Sequence, residues 1–565
     1  MFNLLIISIL TVIFHFASGA LFLKFLRIKT EDSAYYYSIT SFLGIIFISF
    51  FALILNFILP LDPFLNTFLY FLIITNFLFL LKDIKKKNEL IKFVIFASLG
   101  IFLLLLLSNI YRPDAGLYHY PYINILNENK IIIGISNLHQ RFGHISILQY
   151  LSASHYNFIF GLNGIVIPSA SLAIYVIINL ISNILRIKSF SFSKIFSILI
   201  LLYVSYKMNR YSEYGNDAAA HFTFFLIFSV YLNLIENNFL FKKNEVIYLI
   251  SILSIFAFLN KTFLILALII PFLINTKFLL KNLFNYKFIF ISLFLYSWIV
   301  QSYLTTGCGI YPVPITCLDF SWTNFDYLSN VYDVAIGSEA WAKDWSNQKG
   351  EVLNYNEYLS NFGWIKIWFN NQFFEVVNIV GPYLILILLF ILFLYFYNYK
   401  NIIIKKKFNN DYIYLLTLSF FGILLWFFKA PIYRYGYSYL ITFLALIFSY
   451  FIFYYFSNLK PHKVKKISNI IIIFCVVILI GKQFIRISKN YEYQYVNYPW
   501  PKFNSFDRNN NKAKIKTIFK NGEVFYYRPS SNYCFYSKSP CTSVGVDDSL
   551  KYKNIYSYKI YYFKP

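Results

Sequence analysis

The chain has 565 residues, 58% of them hydrophobic and only 13% charged, with a formal net charge of +25. That balance excludes an ordinary soluble globule, because repeated apolar runs of about 18 residues are what a hydrocarbon layer roughly 30 Å thick demands of a helix. No nucleic-acid partner is expected either, since the basic residues sit in short links between apolar runs and form no basic stripe.

Apolar runs near 3–23, 37–59 and 67–82 open the chain. The first contains Ala17-Ser18-Gly19-Ala20, which resembles a signal-peptide cleavage site, yet no basic segment precedes it, so a retained span is expected. A fourth run, near 93–111, delivers the chain into a polar stretch, Tyr111–Tyr156. Asp114, His119, His139, Arg141, His144 and His155 crowd there, with four of the chain's seven histidines. Tyr120–Asn127 and Ile145–Ser154 inside this stretch are short enough to be interfacial helices lying on the membrane. Spans near 158–182 and 195–208 follow, then a second acidic link with Glu213 and Asp217, followed by His221. Further spans lie near 218–235, 246–259, 263–275 and 288–304, and Lys261 falls between two of them. The link Thr305–Glu375 carries Cys308, Tyr311-Pro312, Cys317, Trp322, Trp341, Trp345, Trp364 and Trp368. Spans near 376–398, 413–428, 439–457 and 467–481 complete the set, with Arg434 in the link before the third of these.

The remainder is rich in Pro, Asn, Ser and Tyr and reads as a small β-rich domain. The expected fold is therefore an all-α polytopic membrane protein of about fourteen transmembrane helices, with outer-face interfacial helices and a small C-terminal extracytoplasmic domain. The segments divide as N-terminal helices (1–90), a core with the acidic loops (91–304), an outer loop (305–375), C-terminal helices (376–481) and the outer domain (482–565).

Every second apolar run ends in a basic link: Lys24–Lys29, Lys82–Lys92, Arg186–Lys194, Lys242–Lys243, Lys277–Lys287, Lys400–Lys407 and Lys460–Lys466. The positive-inside rule makes these cytoplasmic and puts both termini outside. Lys482, Arg486 and Lys489 run against that assignment at the start of the tail. Cys308 and Cys317 share one outer link, and Cys534 and Cys541 share the tail, so each pair fits a disulfide on the oxidising side. A metal pair is the competing reading for Cys308 and Cys317.

The polar residues point to chemistry with bland alternatives beside it. Ionisable side chains gathered at a membrane face usually serve binding or catalysis. Asp114 could act as a general base toward an acceptor hydroxyl, or merely cap a helix. Asp217, leading Ala218-Ala219-Ala220-His221, stands between the same two readings. Arg141 could pair with Asp114 or Glu128. Lys261 and Arg434, isolated cations on the face that disfavours them, invite an anionic partner such as phosphate; otherwise they snorkel to lipid headgroups. The tryptophans and Tyr311 suit an interface belt or a sugar-stacking surface. A divalent metal held by Asp, Glu and His is chemically open, but no spacing assigns one.

The order of an acidic loop with two short helices, two spans and a second acidic loop resembles the GT-C superfamily of integral membrane glycosyltransferases. The stretches Asp-Ala-Gly-Leu-Tyr-His-Tyr-Pro, Asn-Leu-His-Gln-Arg-Phe-Gly and Ala-Pro-Ile-Tyr-Arg-Tyr-Gly look like a group of uncharacterised multi-pass bacterial membrane proteins. The resemblance implies transfer of a sugar from a polyprenyl-phosphate carrier to a glycan, lipid or protein acceptor at the outer face of a bacterial inner membrane. It implies Asp114 as the base, Glu213 or Asp217 as the second acidic position, and Lys261 and Arg434 as contacts to the lipid phosphate. His119, His139, Arg141 and Tyr311 are the remaining expected substrate contacts. This chain departs from the pattern in placing three spans before the one that enters the Asp114 loop and in reading Gly-Asn-Asp at the second acidic position. The competing class is a transporter or flippase of a lipid-linked or anionic solute, and a polysaccharide polymerase or ligase would share the substrate.

Overall fold

A computed structural model describes residues 2–28, 31–82, 84–108, 114–207, 215–236, 243–323, 327–348, 353–360, 362–398, 410–491, 515–520, 523–530 and 533–563. Its helices in chain order are α1 (Phe2–Phe25), α2 (Ala34–Asn56), α3 (Pro63–Leu80), α4 (Lys87–Leu105), α5 (Tyr120–Glu128), α6 (Ile135–Leu138), α7 (Ile147–Ser154), α8 (Ile167–Arg186), α9 (Phe192–Tyr206) and α10 (Asn216–Ile235). They continue with α11 (Lys243–Asn260), α12 (Ile270–Lys281), α13 (Tyr286–Thr306), α14 (Tyr327–Ala342), α15 (Tyr355–Ser360), α16 (Trp364–Asn398), α17 (Asn410–Lys429), α18 (Tyr437–Phe456) and α19 (Pro461–Tyr491). Among the described residues, 12 helices are long and apolar enough to cross a membrane, and two more, α3 and α9, are apolar but shorter. The chain is a mostly helical, multi-pass membrane protein, because in lipid a helix satisfies its own backbone polar groups.

Small residues set the closest packing. Gly19 of α1 faces the Thr40 carbonyl and Gly44 of α2 faces the His15 carbonyl, so closely that a β-carbon at either would overlap backbone. Without a hydrophobic drive between helices in lipid, such close approach supplies the van der Waals contact that holds them.

The two short helices expected in the first polar stretch form as α5 and α7. Ser146 and Gln149 build a capping box at the start of α7. They do not lie open on a membrane surface, however, since every side chain of Tyr120–Asn127 and of Ile147–Ala153 is buried. α7 packs against α2 and α5, and α5 also meets the C-terminal unit, two antiparallel hairpins pairing β1 (Ile515–Lys520) with β2 (Glu523–Pro529) and β3 (Leu550–Ile555) with β4 (Tyr558–Phe563). This unit is bonded to the polar stretch at several points. The Phe535 N–H donates to Gly116 O at 2.9 Å, the Tyr561 N–H to Ile133 O at 2.9 Å, and the Tyr536 hydroxyl to Asn127 Oδ1 at 3.0 Å.

Both cysteine pairs are disulfides, Cys308–Cys317 and Cys534–Cys541, and Cys475 is a buried free thiol. Two boundaries differ most from the sequence reading. The last long helix continues to Tyr491, not 481, and α16 begins at Trp364, inside the stretch read as loop. The first shift gives partners to the cations that run against the expected topology. Lys482 Nζ donates to the Ser205 and Tyr206 carbonyls and Arg486 Nη2 to the Leu103 carbonyl at 2.9 Å. Those carbonyls lie in the last turns of α9 and α4, where unpaired C=O groups and the helix dipole favour positive charge.

Candidate functional site

Asp114 stands at the head of a five-residue π-helix, Ala115–His119, that runs into α5. Pro121 is the local cause. It has no N–H for the carbonyl four residues back and its ring crowds that carbonyl, so the preceding turn widens and the Tyr120 N–H reaches Ala115 O. Asp114 is itself helical and makes no capping bond. Its Oδ2 pairs instead with Arg434 Nη2 at 3.3 Å.

Asp217 lies in the first turn of α10, behind Gly215, and faces two cations. Its Oδ1 pairs with Lys261 Nζ, and its Oδ2 lies 3.6 Å from Arg434 Nε, an ion pair too long for a hydrogen bond. Lys261 is available because the chain breaks there: its backbone is extended between α11 and a 3-10 segment, Thr262–Ile269. Tyr435 forms the aromatic wall, its ring centroid 3.3 Å from Lys261 Nζ and 5.5 Å from Arg434 Cζ. The capping reading thus gives way for both carboxylates. Asp114, Asp217, Lys261 and Arg434, from four separate connections, converge on one centre.

Arg434 is held through its backbone by three ring N–H groups. Trp368 Nε1 donates to Pro431 O at 2.7 Å, Trp426 Nε1 to Ile432 O at 2.8 Å, and His221 Nε2 to Arg434 O at 2.9 Å. A carbonyl can only accept, so His221 carries a proton on Nε2, and its Nδ1 bonds the Ser438 hydroxyl. Burial opposes the Arg434 charge, but Asp217, Tyr435 and Asp114 more than offset it and its pKa rises.

The tryptophans divide accordingly. Trp364 and Trp368 are buried with Trp426 in a separate apolar cluster, so they buttress the Arg434 turn and offer no face to a sugar. Trp341 is exposed, and Trp322 stacks on Phe320 at 4.5 Å.

The loop histidines split as well. His119 is buried beside the centre, its Nδ1 3.4 Å from Gln149 Nε2. Burial chiefly, helped by Arg434 and Arg141 and opposed by Asp114 and Asp217, lowers its pKa to about 4, so it is neutral near pH 7. Burial and Arg141 likewise hold His139 and His144 at about 4. The His144 ring meets Tyr311 edge-on at 5.3 Å, which brings the Cys308–Cys317 loop onto the polar stretch. His155 turns away. Its Nδ1 donates to Leu151 O at 2.7 Å, and its Nε2 accepts from His15 Nε2 at 2.9 Å, while Tyr175 bonds the other nitrogen of His15.

Arg141 pairs with neither Asp114 nor Glu128. It is exposed, with Cζ 5.9 Å from the Tyr118 ring centroid, and Glu128 accepts the Ser539 N–H instead. Glu213 lies outside the described residues. Among the described residues no three His, Cys, Asp or Glu side chains gather as a metal site. Tyr435, Trp426 and Ser438 were not singled out from the sequence. Their nearness to Arg434 in the chain was the one available signal.

The fold and site define a multi-pass membrane protein with a paired-charge centre at one end of its bundle. The chain belongs to a family described as a domain of unknown function, DUF8201, which matches residues 1–441. That match includes all four charged residues of the centre and ends before the hairpins. No curated protein and no solved structure matches the chain.

Proposed function

We propose that the chain is a GT-C-like glycosyltransferase of a bacterial inner membrane, with about fourteen spans, both termini outside and its site at the outer face. It moves a sugar from a polyprenyl-phosphate carrier to a glycan, lipid or protein acceptor. The observation that carries this reading is the convergence of Asp114, Asp217, Lys261 and Arg434, with the two carboxylates unequally exposed. The Asp114 side chain is 40% exposed and that of Asp217 21%. Asp114 is the carboxylate an acceptor can reach, and Asp217 is the one that holds the two cations in place.

In the proposed reaction Asp114 takes the proton of the acceptor hydroxyl as its oxygen bonds to the anomeric carbon. The bond from that carbon to the phosphate oxygen breaks, and the electron pair leaves on the phosphate. Arg434 and Lys261 stabilise this charge, electrostatic help of the kind that often dominates enzymatic acceleration. The proton then passes from Asp114 to water.

The test is transfer from a lipid-linked sugar by purified protein. Asp114→Asn should lower the rate by a factor on the order of 10² to 10⁴. Arg434→Lys should retain more activity than Arg434→Ala, since charge survives while the fork is lost. Normal transfer by Asp114→Asn at normal membrane level would remove Asp114 from the chemistry.

One observation favours the transporter reading. Tyr175, His15 and His155 form a hydrogen-bonded chain buried inside the bundle, and such intramembrane polar chains serve proton relays in pumps. His15→Phe would abolish proton-coupled transport and leave glycosyl transfer intact.

A further inference from the structure

The centre's own charges cancel, two carboxylates against two cations, so it presents little net field to an arriving anion. Arg141 is different. It sits beside the same groups, its Cζ 5.9 Å from the ring centroid of Tyr118, and like Arg434 it lowers the pKa of His119. Yet it is exposed and makes no ion pair or hydrogen bond through its side chain among the described residues. The two imidazoles beside it are also unspent. His139 is 5% exposed and its buried Nδ1 has no hydrogen-bond partner among the described residues, and the His144 ring rests edge-on against Tyr311. Both are neutral near pH 7, so Arg141 supplies the charge there and the histidines supply hydrogen bonds.

We propose that Arg141, with the His139 and His144 imidazoles and the Tyr118 ring, forms a second subsite for an oxyanion carried by a sugar of the acceptor. This deepens the glycosyltransferase reading and rests on it for the word acceptor. The guanidinium fork matches a carboxylate or phosphate through two parallel N–H bonds, whereas a neutral sugar gives it no charged partner. Neutral imidazoles suit sugar hydroxyls, and the half-buried Tyr118 ring suits the apolar face of a pyranose. The chemistry favours an acidic sugar such as a hexuronate, and a sugar phosphate is the other source of the same oxyanion. Arg141 is a binding residue here, placed beside the centre and outside the proton transfer.

The experiment is ligand-observed fluorine NMR on the full chain in detergent. The probes are a fluorinated hexuronate, a fluorinated hexose phosphate and the neutral fluorinated hexose. Wild type should bind the hexuronate and not the neutral sugar. Arg141→Ala should weaken that binding by on the order of tenfold or more, as loss of a charge-assisted bond implies, and Arg141→Lys should restore part of it. Preference for the phosphate with the same dependence on Arg141 would keep the subsite and assign its source to phosphate. Equal binding of the neutral sugar, binding indifferent to Arg141, or no binding of any probe would overturn the proposal. Melting of each variant is read alongside, and Arg141→Gln replaces the alanine variant if that one does not fold. Binding is measured without turnover. The subsite therefore survives if transfer is never found, and falls if anion binding ignores Arg141 even where transfer occurs.

Discussion

Replacing Asp217 by Asn separates the carboxylate that holds the centre from the one that an acceptor meets. Asp217 pairs with Lys261, and the Lys261 side chain is only 13% exposed. With Asn in place, Lys261 keeps the Tyr435 face, worth about 1–2 kcal/mol when partly desolvated. Arg434 keeps Asp114. Two cations thus lose their shared partner in a half-dry site. A fully buried pair broken this way costs about 3–5 kcal/mol. Partial exposure reduces that to about 2–3 kcal/mol, near the value of one charge-assisted hydrogen bond. Asp114→Asn breaks a single 3.3 Å pair at a half-exposed side chain. It should cost about 1 kcal/mol or less, as exposed pairs do. The assay is thermal unfolding of the two variants in the same detergent, followed by tryptophan fluorescence. Asp217→Asn should melt well below wild type and Asp114→Asn close to it. Adding Lys261→Met to Asp217→Asn should recover stability, because the half-buried cation that lost Asp217 is then gone. Equal melting of the two single variants, or no recovery in the double variant, would refute the division of roles.

Trp368→Phe keeps the ring and removes the N–H that bonds Pro431 O; faster hydrogen exchange across 431–436 and a local cost of about 1–3 kcal/mol for the unpaired carbonyl should follow. Gly44→Ala places a β-carbon against the His15 carbonyl, so α1 and α2 must separate, with a loss of about 1–3 kcal/mol or more, read as a lower melting temperature. His119, His139 and His144 sit at about 4 in the folded chain and near 6.5 when unfolded. Between those values the unfolded state binds more protons, so stability should fall as pH drops from about 6.5 toward 4, and a flat melting profile there would count against their burial. Gly116→Ala forces its β-carbon into the Phe535 ring, 2.7 Å away; it should loosen the π-helix that carries Asp114, seen as faster exchange at 115–119, while the melting of the bundle changes little.

Much of this molecule was legible in the amino-acid sequence. The helical membrane class followed from apolar runs of the right length, because hydrocarbon leaves the backbone few choices. The two disulfides followed from local pairing on one predicted face, and Asp114, Asp217, Lys261 and Arg434 stood out as charges where lipid has little use for them. What sequence could not decide was which of them meet. Asp114 and Arg434 are separated by 320 positions, and no local spacing encodes a contact made by folding four connections together. The same limit hid the work of the tryptophans. An indole in a loop reads as belt or sugar platform, and only the turn it packs against reveals Trp368 and Trp426 as donors to the Arg434 backbone. It left Arg141 open as well, since whether a cation is already paired depends on which carboxylate comes within reach. Glu128 turned to the C-terminal unit and Asp114 to Arg434, so Arg141 was left facing solvent. Composition and periodicity set the membrane architecture through solvation, which acts residue by residue. The site was decided by tertiary packing, because ion pairs and hydrogen bonds act between partners that the chain order keeps far apart.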